Sequence, residues 1–485
     1  MKILLHKLIA AVVTLSLLPL FAVSSYAKPR KQKKKFNVLF LISDDLRPEL
    51  GAYGVEGIKT PNVDKIAARG TRFDRAYAQY PVCNPSRSSF LNGRYPTETK
   101  VLNNNDYFRK IDPTSVTLPQ YFKNNGYATL RTGKIFHGGI DDPDSWTEGG
   151  EPPDPNITER GNPNYKPVPA KPADPDEAET AQAEGAGIKE SASDRIIVLD
   201  GDGEKHGDYK TATRAIDYIE RYKDKPFFLA VGLVKPHSPP TAPKKFFDMY
   251  DVNKIPLPVD FGTTPHALPG APEISISPKN ADLFIGREST PELSREMKRA
   301  YWASTSFMDA QIGRVMDALE KNGLKDNTIV VFFGDHGYHL GEKGKWSKAY
   351  SLYELGLRVP LIVAVPNQKA QSSKRVVELM DLYPTLAELC GLPKPARQSG
   401  ASFTSLLKKP DAAWDRPAYS VTVFGKSLGR SIRTAKWHYV EWDDGKSGRM
   451  LYATEDDPHE LKNLSEDVKY ESVVTEMKAL LAKKP

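Results

Sequence analysis

Along this chain, apolar runs of strand length alternate with segments whose apolar residues fall three and four apart. Residues 36–43 (Phe-Asn-Val-Leu-Phe-Leu-Ile-Ser) are a nearly continuous apolar run, the texture of a strand buried on both faces of a parallel sheet. Residues 227–233, 328–333 and 359–365 read the same way, and 127–132 as a further strand. Helices are predicted between them. Thr60-Pro61 opens one that turns Val63, Ile66 and Ala67 inward and stops at Gly70, and Thr117 opens another ending near Gly126. Residues 209–222 carry Ala212, Ala215, Ile216 and Ile219 as one stripe, and residues 292–322 keep helical spacing over a long span. Such alternation predicts a doubly wound α/β fold, in which ligands gather at the carboxyl ends of the strands. From about residue 411 the pattern shortens to strands at 418–423, 431–434 and 437–442, then Leu451-Tyr452, and closes with a helix over 468–482.

Two stretches interrupt the rhythm. Residues 141–207 hold many prolines, glycines and acids, and read as a long irregular insertion, either a surface loop or a rim that shapes access. Residues 256–285 form a second proline-rich connection. At 485 residues the chain suits one large domain, 36–410, and a smaller one, 411–485. Residues 1–27 have the layout of a secretory leader: Lys2 and Lys7, an apolar stretch over 8–23, and Ser25-Tyr26-Ala27 as a cleavage site. That stretch is short for a spanning helix, so cleavage and export are expected, without stable membrane insertion afterwards.

Charge adds little. The leader's two lysines and the six basic residues of the tail 28–35 exceed the formal +7, leaving −1 for the remainder. Nothing in this balance calls for a nucleic-acid partner. Of the two cysteines, Cys390 ends a helix before Gly391 and reads as a core thiol. So few cysteines behind a leader suggest a bacterial periplasmic or secreted enzyme.

Candidate chemistry centres on residues 83–94, Cys-Asn-Pro-Ser-Arg-Ser-Ser-Phe-Leu-Asn-Gly-Arg. Cys83 is a nucleophile candidate, Pro85 fixes a turn, Arg87 carries a permanent charge, and Ser86 to Leu91 opens a helix whose N-terminus favours anions. Asp44-Asp45 follows the first strand, where a turning backbone lets both carboxylates converge, and Gly334-Asp335-His336-Gly337 follows another. Hard oxygen donors of this kind favour calcium or magnesium over zinc. Lys134 and His137, Lys235-Pro236-His237, and Trp346-Ser347-Lys348 add cations and proton carriers near other strand ends.

Cys-x-Pro-Ser-Arg followed by Leu-x-Gly-Arg resembles the signature of type I sulfatases, and the run 76–137 is most similar to the iduronate-2-sulfatase branch of that family. The resemblance implies the alkaline phosphatase-like sulfatase fold: a large doubly wound mixed sheet flanked by helices, with a smaller C-terminal antiparallel-sheet α+β domain. It implies that Cys83 is converted to formylglycine by a maturation enzyme. Asp44, Asp45, Asp335, His336 and the converted Cys83 would then ligate one Ca2+. It implies sulfate contacts for Lys134 and Lys348, charge compensation by Arg87, contact of His137 with the formylglycine, and a place for His237 at the leaving oxygen. Asn105, Tyr107, Arg109 and Tyr338 match positions that contact the sugar. The implied substrate is a sulfated glycan, carrying a 2-O-sulfated uronic acid. Another sulfate position, a phosphatase or phosphonate monoester hydrolase of the same superfamily, and a non-catalytic glycan binder are the competing readings. The scarcity of spare histidines speaks against a two-metal phosphatase.

Overall fold

Strand β1 (Asn37–Ser43) is buried along its whole length and sorts its side chains between two cores. Val38, Phe40 and Ile42 enter one, while Leu39 and Leu41 enter the other, as the two-residue period of a strand requires. In this computed structural model, which describes residues 35–158, 166 and 193–485, β1 lies inside a seven-stranded sheet. The expected leader, the tail up to residue 34, and residues 159–192 of the insertion (166 apart) lie outside the described residues.

The other strands of the sheet are β2 (Thr71–Tyr77), β3 (Ala128–Gly133), β5 (Phe227–Leu233), β7 (Thr328–Gly334), β8 (Arg358–Ala364) and β9 (Gln371–Glu378), in the order β3-β5-β1-β7-β8-β2-β9. A separate two-stranded ribbon pairs β4 (Ile197–Leu199) with β6 (Thr241–Pro243). β1 runs parallel to β5 and β7, whereas β8 is antiparallel to both β7 and β2, so the large sheet is mixed. On one face lie α1 (Pro61–Ala67), α4 (Gly207–Tyr222) and the long α5 (Pro291–Lys321), through Val63, Ile219 and Ile312. On the other lie α2 (Cys83–Asn92), α3 (Leu118–Asn124) and α6 (Leu382–Leu389), through Phe90, Phe122 and Leu386. This is the doubly wound arrangement expected from the alternation.

The C-terminal strands β10 (Ala418–Phe424), β11 (Ser427–Arg433), β12 (Trp437–Trp442) and β13 (Arg449–Ala453) form an antiparallel sheet covered by α7 (Glu471–Leu481). The expected short strand at 431–434 is the end of the longer β11. This sheet is continuous with the larger unit in both hydrogen bonding and core. Tyr419 N donates to Glu378 Oε1 at 2.9 Å and Val421 N to the Gln79 carbonyl at 2.9 Å. The described residues form one compact unit.

Candidate active site

The carboxyl ends of four neighbouring strands meet the N-terminus of α2. Beyond β1, Asp45 turns into the left-handed region (φ 59°), where a non-glycine residue is uncommon. Its carbonyl accepts from the Tyr301 hydroxyl of α5 at 2.8 Å, and its N–H donates to Asp335 Oδ1 at 3.2 Å. That turn puts Asp44 and Asp45 on the same side of the backbone. Beyond β7, Gly334 admits no side chain, because a Cβ would lie 2.2 Å from the Leu46 carbonyl oxygen. β1 and β7 therefore end tightly against one another, with Asp335 and His336 beside Asp44 and Asp45. Helix α2, all ten residues of it buried, begins at Cys83 and is pinned there by Ser86 Oγ donating to the Asp335 carbonyl at 2.5 Å.

Ligand atoms of Asp44, Asp45, Cys83 and His336 all lie within 4.8 Å of one another. Cys83 Sγ is 3.2 Å from His336 Nε2 and 3.5 Å from Asp44 Oδ1. His336 Nδ1 faces the Gly337 carbonyl at 3.0 Å; donating there, it turns the Nε2 lone pair to the cluster. Asp335 joins at its edge, 3.5 Å from His336 Nε2. Burial, with Asp44 beside it, pushes the Asp335 carboxyl up to about 6. Two buried carboxylates, an imidazole lone pair and a thiol gathered on one point, with a third carboxylate at the edge, fit a divalent cation held mainly by oxygen.

Cations surround the cluster. Lys134, beyond β3, pairs with Asp44 Oδ2 at 2.6 Å. Lys348 Nζ is 3.0 Å from Asp45 Oδ1 and 3.2 Å from His237 Nε2. His237 is itself set by its Nδ1, 2.7 Å from the Ser238 carbonyl. Its chain, beyond β5, is held by Asp208 at the start of α4, which accepts from Val234 N and Lys235 N at 2.7 and 2.9 Å. His137 is buried on the segment that leaves β3.

The sulfatase family model matches residues 36–392, and a model of the N-sulphoglucosamine sulphohydrolase C-terminal region matches 341–485. The chain belongs to the sulfatase family. An iduronate 2-sulfatase of Mus musculus is 34% identical over 427 residues, covering 79% of this chain and 73% of its own. A sulfatase of Formosa agariphila is 31% identical over 467 residues, covering 94% of this chain and 88% of its own. Among solved structures, a 2-O GAG sulfatase aligns with TM-score 0.64 at 24% identity, over 93% of this chain and 91% of its own. A phosphonate monoester hydrolase of Agrobacterium radiobacter aligns with TM-score 0.72 at 21% identity, over 93% and 95%. Both structural likenesses concern the fold.

In this sulfatase Arg87 stands behind the carboxylates. Its side chain is wholly buried; Nε donates to Asp335 Oδ2 at 2.9 Å and Nη1 to the carbonyls of Lys134 and Ile135 at 2.5 and 3.0 Å. It orients the cluster and ties α2 to the exit of β3. The expected sugar contacts are dispersed. Asn105 is exposed; Tyr107 is half-buried, with burial and nearby Asp142 pushing its hydroxyl up to about 12. Arg109 is spent on Asp142, at 2.9 and 2.8 Å, on Gln120 and on the Ser115 carbonyl. Tyr338 is buried against Tyr301 and donates to the Trp346 carbonyl at 3.2 Å. Sequence reasoning missed Asn104, whose side chain accepts from Asn84 N next to Cys83 at 3.1 Å, and it missed Asp208, Asp282 and Tyr301. Each acts through a tertiary contact with no local pattern.

Proposed function

We propose that this enzyme removes the 2-O-sulfate of a uronic acid at the end of a sulfated glycan, with formylglycine at position 83 and Ca2+ held by Asp44, Asp45, Asp335 and His336. The observation that carries the reading is Cys83 in the first turn of α2, its sulfur within 4.8 Å of ligand atoms of Asp44, Asp45 and His336. The 34% identity to iduronate 2-sulfatases supports the choice of sugar and sulfate position. When bound, calcium withdraws negative charge from the sulfate oxygens, and the aldehyde hydrate supplies the oxygen nucleophile.

The protein side chains carry the rest. Lys134 and Lys348 lie on either side of the carboxylates and offset charge growing on sulfate oxygens. His237, whose Nε2 stands 3.2 Å from Lys348 Nζ, takes up a proton from solvent and passes it to the departing sugar oxygen, while Lys348 stays charged. Arg87 keeps Asp335 ionised and aimed. Export to the periplasm or medium and a maturation enzyme acting on Cys83 belong to the same proposal, the former resting on the leader read in residues 1–27.

The test is sulfate release from 2-O-sulfated uronate disaccharides and from 6-O-sulfated hexosamines, with and without chelator. The proposal expects release from the uronates, lost with chelator and restored by Ca2+. Faster release from the hexosamines, or indifference to chelator, contradicts it.

A further inference from the structure

Lys345 lies three residues before Lys348, and the chemistry above gives it no task. It is 1% exposed. Its ammonium makes no hydrogen bond and no close ion pair among the described residues. Burial pulls it down to about 8, against the attraction of Asp282. A buried ammonium without an acceptor is poorly tolerated unless an anion or water meets it. Asp282 balances it only in part, since its Oδ2 also stands 3.7 Å from Lys348 Nζ. His339, on which Lys345 acts, is driven down to about 3, chiefly by burial, and brings no negative charge. Two buried polar atoms of this loop, Ser347 Oγ and His339 Nδ1, have no hydrogen-bond partner among the described residues.

The local backbone holds Lys345 firmly. Its N–H donates to the Glu342 carbonyl at 2.8 Å and its carbonyl accepts from Gly341 N at 2.9 Å. Asn280 Oδ1 accepts from Trp346 N at 2.8 Å, Leu283 N donates to the Trp346 carbonyl at 3.2 Å, and the Phe284 ring packs 4.9 Å from Trp346. Asp282 is thereby fixed 3.7 Å from Lys348, which reaches Asp45 and His237, and within electrostatic reach of Lys345.

We propose that Lys345 is a specificity-determining residue that receives a second anionic group on the sugar whose sulfate is removed. On the uronate reading, on which this rests, that group is the ring carboxylate. Asp282 acts as a positioning residue that keeps the two ammonium groups charged and apart. Lys348 serves the reacting sulfate while Lys345 reads its neighbour, so discrimination and chemistry fall to different cations of one loop.

The experiment measures kcat/KM of the wild type, Lys345→Met and Lys345→Arg on a 2-O-sulfated uronate disaccharide and on its carboxyl-reduced counterpart. A 2,6-disulfated and a 6-sulfated hexosamine form a second pair, and melting temperatures check the fold. One charge-assisted hydrogen bond predicts a wild-type preference for the carboxylate of roughly ten- to a hundredfold, carried mainly by KM. Lys345→Met should bring that ratio to near one, and Lys345→Arg should keep it. A preference unchanged in Lys345→Met, or equal losses on both members of a pair, overturns the inference while leaving the uronate reading intact. Wild-type activity confined to the hexosamines overturns the uronate reading. In that case, loss of the preference for the disulfated sugar in Lys345→Met upholds the anion-reading role with sulfate as the second anion, and its persistence overturns that role too.

Discussion

The tautomer of His237 makes a residue-level prediction. With Nδ1 donating to the Ser238 carbonyl, Nε2 accepts from Lys348 and is the atom that can hand a proton on. A general acid matters most when the leaving group is a poor one. His237→Gln should therefore slow release from a sugar sulfate by roughly a hundredfold or more, and release from p-nitrophenyl sulfate far less. Equal losses on both would remove the acid role. Cys83→Ser should keep the melting temperature, because the buried side chain changes little in volume, and lose turnover by several orders of magnitude. Steady turnover by that variant would contradict the scheme. At this scale the motif residues were legible because they stand at strand ends. Their convergence was expected where the backbone turns after the first strand; the left-handed conformation of Asp45 and the buried guanidinium of Arg87 that secure it were not, because no local pattern announces either. Arg87, for which charge compensation at the sulfate was expected, bonds Asp335 and two carbonyls.

Among elements, the loop after β1 and the loop after β7 are joined by Arg47. Its guanidinium bonds Glu49 at 2.6 Å and Glu342 at 2.8 Å, and Lys298 of α5 lies 3.3 Å from Glu49. Burial alone would push both carboxyls up; Arg47 and Lys298, joined by the Trp302 indole at Glu49 and by His339 at Glu342, together outweigh it and hold each down to about 2. Carboxyls held below their unfolded value stabilise the native state above that value, 4.5, and the contribution fades as pH falls toward 2. Glu342→Gln should destabilise the protein by about 3 kcal/mol at neutral pH, since it breaks a buried pair, and the difference should narrow below pH 4. Denaturant unfolding at several pH values checks this; a difference independent of pH would contradict it. The apolar strands β1, β5 and β7 were plain in the sequence because both their faces are buried. β2 and β9 were not, since charged and polar side chains on the outer strands (Arg72, Asp74, Lys374) break the apolar run.

For the whole molecule, the boundary near residue 411 marks a change of texture and not a break in the core. Tyr80, Tyr95 and Met380 from the larger part share one cluster with Tyr419, Ile432 and Met477. Tyr80 also lies just before Cys83, so the C-terminal sheet supports the approach to helix α2. A chain ending at residue 410 should be insoluble or lack a cooperative unfolding transition; a soluble, cooperatively melting fragment would show that the two parts fold independently. The central claim is that Cys83, beside three cation-binding side chains, becomes the carbonyl on which hydrolysis runs. Mass spectrometry of the peptide spanning Cys83, taken from active protein made in its native cell, tests it most directly. The account predicts a peptide lighter by the exchange of a thiol for an aldehyde, and a fully active preparation with the thiol intact would contradict it.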